Sequence, residues 1–60
     1  MTLIESYELP DRAVALIELN GFPVVVTQTG QEVKWLSFLN LEHALHIYNH
    51  CIELMREIKN

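Results

Sequence analysis

The pattern of apolar and polar positions changes period once along the chain, near residue 40. Between Arg12 and Phe38, runs rich in β-branched and aromatic residues are interrupted at Asn20-Gly21 and again at Gly30. Turn signals about ten residues apart are the mark of an antiparallel meander. Strands are expected at about 13–19, 22–28 and 32–38. A two-residue type I′ turn needs positive φ at both central positions, which Asn and Gly adopt at little cost, so Leu19 should pair with Phe22. Gly30-Gln31 then closes the second hairpin. Pro23 has no N–H to give a ladder, but this register places it where the third strand runs out.

Beyond the strands, Leu41, Ala44, Leu45, Tyr48, Cys51, Ile52, Met55 and Ile58 follow the i, i+3, i+4, i+7 rule without a break. The spacing predicts a helix from 41 to about 59. Asn40 is its N-cap, because the side-chain oxygen can accept an orphaned N–H of the first turn. The first ten residues leave two readings open. Leu3, Tyr7 and Leu9 alternate weakly with polar residues and Pro10-Asp11 reads as a turn, so the segment forms either a fourth strand or an arm packed over the sheet. The fold class is therefore α+β: a three-stranded antiparallel β-meander, with room for a fourth N-terminal strand, followed by one long C-terminal amphipathic helix in a single domain, 1–60.

Strand alternation sorts the side chains onto two faces. One collects Ala13, Ala15, Ile17, Leu19, Phe22, Val24, Val26, Val33 and Trp35. The other carries Val14, Leu16, Val25, Leu36 and Phe38, diluted by Glu18, Thr27 and Lys34. The first, richer face is expected to lie under the helix. A half-solvated antiparallel sheet should then show one plainly polar face, and this one does not. Ile47 and Leu54 also widen the apolar arc of the helix to roughly 180°, beyond the ~100° stripe that faces a core. Either the N-terminal arm, with Leu3, Ile4, Tyr7 and Leu9, folds over the second face, or a second copy covers it. A symmetric dimer is the commonest oligomer, and the interface residues it implies are Leu36, Phe38, Ile47, Leu54 and Ile58.

Composition sharpens this expectation. A chain of 60 residues is near the lower limit for a domain that folds alone, and such domains usually add disulfides, a metal or a partner chain. Cys51 is the only cysteine, so no disulfide closes within one chain, and a lone thiol fits a reducing, cytosolic compartment. No stretch approaches the ~18 apolar residues that span a bilayer, and the first eight residues lack the basic and apolar regions of a signal peptide. The formal charge is −4, from eight carboxylates against four Lys and Arg. Arg12, Lys34, Arg56 and Lys59 are scattered, which argues against binding to nucleic-acid phosphates.

Candidate chemistry is sparse. His43, His46 and His50 share the polar side of the helix with Glu53 and Glu57. His46 and His50, at i and i+4, point the same way and with Glu53 form an alternative metal site. His43 lies about 10.5 Å from His50 along the axis, too far to join them. A solvated polar face is the preferred reading, with no metal and no cofactor. Cys51 shares the side of Tyr48 and Met55 and is expected to be inert packing. No Gly-rich phosphate loop, HExxH or nucleophile elbow is present. The chain is thus expected to act without catalysis, as a small homodimeric module that binds an as yet unidentified protein and neither nucleic acid nor membrane.

Overall fold

The structure, a computed structural model, describes residues 1–57. Four antiparallel strands in sequential order are followed by one helix: β1 (Thr2–Leu9), β2 (Arg12–Leu19), β3 (Phe22–Thr29), β4 (Glu32–Ser37) and α1 (Leu41–Glu57). The N-terminal residues are a strand and not an arm. They pair with β2 from Leu9↔Arg12 to Thr2↔Glu18, with a bulge between Leu3 and Glu5 that inserts Ile4. Part of the helix expectation, including Ile58 and Lys59, lies outside the described residues. No helix among the described residues is long and apolar enough to cross a membrane.

The turns follow their residues. Asn20 and Gly21 have φ of +55° and +85°, the doubly left-handed pair of a type I′ turn, and Leu19 faces Phe22 across it. Gly30 has φ of +61°, and Thr29 faces Glu32. Pro23 lies opposite Glu18 on β2, while its carbonyl accepts the Phe38 N–H at 2.9 Å on the other side. The nitrogen and the carbonyl of a strand residue point toward the same neighbour. The missing N–H therefore faces the end of β4, where the ladder stops, and no bond to β2 is lost.

At the start of α1, Asn40 accepts the His43 N–H through Oδ1 at 2.8 Å, and its carbonyl accepts the Ala44 N–H. This is the expected cap. Glu42 in the first turn and Arg56 in the last complement the helix dipole.

The helix lies on the opposite side of the sheet from the one its composition favours. Val14, Leu16 and Val25 pack beneath Ala44 and Tyr48, with Tyr7, Phe38, Leu45, Cys51, Ile52 and Met55 closing around them. The richer face is the one left uncovered. The connection decides the matter: only residues 38–40 separate β4 from α1. Phe38 extends the ladder with its ring already on the side of Leu16 and Val25, edge-on to His43 with ring centroids 5.0 Å apart. So short a link turns the helix onto the face where Phe38 points. Glu5, Glu18 and Lys34 share that face and remain exposed at its margins.

Candidate interaction surface

Covering one side with a single helix leaves much apolar surface in water. The helix packs on β2 and β3, and every residue of β4 is exposed. On the open side the register aligns Leu3, Ile17, Val24 and Ser37 in one row across the sheet, then Ser6, Ala15, Val26 and Trp35 in the next, and Glu8, Ala13, Gln28 and Val33 in a third. Leu19 and Phe22 complete the end near the type I′ turn. Ile17 and Val24 are only 5% and 2% exposed, although they stand outside the cluster beneath the helix. Elsewhere on this face Leu3, Phe22 and Val33 are exposed, and Trp35 is 56% exposed.

The five interface positions expected from sequence fall in different surroundings. Leu36 and Leu54 are exposed, at 54% and 48%. Ile47 is half-buried on the helix. Phe38 packs against the core of its own chain, and Ile58 lies outside the described residues. The open-face group of Phe22, Val33 and Trp35 was assigned to the core by sequence. The signal that separates the faces is Phe38, whose position in the alternation marks the side onto which the chain turns.

The groups with chemical potential are dispersed. His43, His46, His50 and Glu53 are all exposed on α1, and no group of three His, Cys, Asp or Glu side chains among the described residues is placed to hold a metal ion. Cys51 is half-buried, and desolvation pushes its thiol above the ordinary value, away from the reactive thiolate. Burial, and then the nearby Glu5 charge, likewise raises the Tyr48 phenol. Hydrogen bonding to Arg12 lowers the Asp11 carboxyl; this 3.0 Å pair sits at an exposed turn, where ion pairs contribute little. The concavity beside it, about 360 Å³ between Leu9, Pro10, Arg12 and Gln28, is open to solvent and has no buried polar group. No family model, curated protein or solved structure matches the chain.

Proposed function

We propose that the protein is a small cytosolic interaction module, a homodimer without catalysis of its own that acts as a regulator, inhibitor or accessory subunit of another protein. The observation that supports this reading is the amount of apolar surface a single helix leaves uncovered: one whole sheet face, all of β4, and the Leu54 flank of α1. Monomers rarely leave contiguous apolar patches beyond a few hundred Å² in water. The lone cysteine and the absence of a membrane-crossing helix among the described residues are compatible with the cytosolic placement.

The magnitude supports association. Burying about 600–800 Å² per chain, over half of it apolar, contributes on the order of 10 kcal/mol per chain at ~25 cal/mol per Å². Lost rotational freedom and side-chain ordering offset much of this. Association at micromolar concentration is expected from what remains. Because so small a core gives little stability by itself, folding and association are linked. Sedimentation equilibrium tests the reading, together with melting at several protein concentrations. A dimer whose melting temperature rises with concentration is expected, and a folded monomer persisting at about 100 µM would remove the proposal.

A further inference from the structure

We infer that the surface through which two copies meet is the open sheet face centred on Ile17, Val24 and Trp35, packed face to face as a β-sandwich with both helices outside. This deepens the homodimer reading and rests on it.

Area, charge and burial select this face and a second copy as its occupant. Three strands of eight residues and one of six, at ~3.3 Å per residue and ~4.8 Å between strands, give a face of at most about 26 by 19 Å. With its side chains, such a pleated face offers on the order of 600–800 Å² of accessible surface, close to the share each partner contributes to a stable interface. The β4 edge and the Leu54 flank are narrower strips.

The face also lacks charge. By the register, Glu8 is its one charged residue, and it stands at the margin on edge strand β1. Arg12, Glu18, Lys34 and Glu32 alternate onto the helix side. A nucleic acid or an anionic membrane would find no cation here, and a charged protein surface would be left without counter-charges. A face that is largely apolar, with its single charge at the margin, matches a copy of itself, which a two-fold axis supplies without any further complementarity. Ile17 and Val24 already form a dry centre with the exposed Leu3, Phe22 and Trp35 in the same and adjacent positions of the face, the arrangement of a buried anchor group inside a water-excluding rim. Two such faces pack about 10 Å apart with their strands rotated by about 30°.

Trp35 is the only tryptophan and sits on the proposed interface, so the intact chain reports on it directly. Sedimentation and tryptophan emission are followed over one dilution series, with acrylamide as quencher. As the dimer forms, emission should move to shorter wavelength and quencher access should fall. Val33→Glu and Phe22→Glu, at positions exposed in the single chain, should weaken association at least about tenfold, whereas Leu54→Glu should leave it within about threefold. If linked folding unfolds these variants or the dilute chain, the quencher access of Trp35 in the dimer itself decides, compared with the half-exposed ring of the single folded chain. A dimer in which Trp35 remains about half exposed would mean pairing through the β4 edge or the helix flank, and would overturn this inference while leaving the homodimer reading in place. A folded monomer at about 100 µM with accessible Trp35 would remove both.

Discussion

Leu16 and Ile17 are neighbours in β2 and almost equally buried, at 0% and 5% exposed, yet they are buried by different means. Leu16 lies beneath Ala44 and Tyr48, enclosed by a second layer of the same chain. Ile17 lies on the open face outside that cluster, where Leu3, Leu19, Phe22 and Trp35 are exposed. Val25 and Val24 repeat the contrast one strand away. Low exposure alone therefore does not identify a completed core. The neighbours that produce it must themselves be covered, and on the open face they are not.

The largest effect is expected on the covered side. Leu16→Ala removes a fully enclosed side chain, and changes of this kind cost about 2–5 kcal/mol, as much as a core of this size supplies. The variant should show no cooperative unfolding transition by circular dichroism at protein concentrations where the parent melts cooperatively. Survival of a native-like melt would mean that the helix is not the main source of burial. Next comes Trp35→Ala. In a chain whose open face stays in water, removal of a half-exposed ring should change stability by under about 0.5 kcal/mol. Where a second copy closes the face, the same change should cost about 2 kcal/mol or more, as buried aromatic anchors do. Urea midpoints compared at low and high concentration separate the two cases.

A change that serves both faces alike gives the reference point. Gly21→Val forces a β-branched residue to a φ of +85°, although open space surrounds the position where its side chain would sit. The loss, about 1–2 kcal/mol, is conformational strain in the β2–β3 turn. It should be independent of protein concentration in the monomeric range. An unchanged urea midpoint would show that this turn does not set the register on which both faces depend.

How much of this was legible in sequence follows from the range of the forces involved. Turn chemistry and capping are local, so Asn20-Gly21, Gly30 and Asn40 were readable, and the helical period from Leu41 onward placed α1. The N-terminal strand was ambiguous because Ile4 is inserted at a bulge, which shifts the alternation by one and sends Leu3 and Tyr7, four residues apart, to opposite faces. The side taken by the helix was misread because counting apolar residues compares the faces as wholes. The helix needs only a patch two strands wide, and Leu16, Val14 and Val25 provide it. The three-residue connection after β4 then selects the side, whatever lies at the margins.

Tyr48 gives the covered face a dependence on pH. Burial, with the Glu5 charge as the second cause, raises its phenol above the ordinary value, so the fold holds the neutral form. The unfolded chain releases this proton near pH ~10 and the folded chain only at higher pH. Above about pH 10 the unfolded state therefore binds fewer protons, and stability falls as pH rises further. The contribution is complete below that point and lost as pH passes the folded value. Tyr48→Phe should flatten this alkaline decline in urea midpoints between about pH 9 and 11. An unaltered slope would mean that the phenol is not held in a desolvated position.

The smallest effect is expected at the polar side of α1, where the contrast between covered and open surfaces predicts no energetic role at all. His46 and His50 are exposed and stand one helical turn apart, with Glu53 exposed beside them. Neither imidazole shows a side-chain hydrogen bond among the described residues, and no ligand set of three is assembled there. Replacing both by Ala exchanges two side chains of middling helix propensity for the best helix former. The double variant should therefore keep its urea midpoint within about 0.5 kcal/mol of the parent, or gain slightly, and should associate as the parent does near neutral pH. The metal alternative makes a different demand. A divalent ion bound by His46, His50 and Glu53 would stabilise the folded state according to its concentration over its dissociation constant. Zinc added to the parent chain would then raise the melting temperature, and the double variant would abolish that rise. Calorimetric titration showing tight stoichiometric zinc binding lost in His46→Ala/His50→Ala would turn the exposed histidines into a site; no heat beyond dilution would leave them as a solvated face.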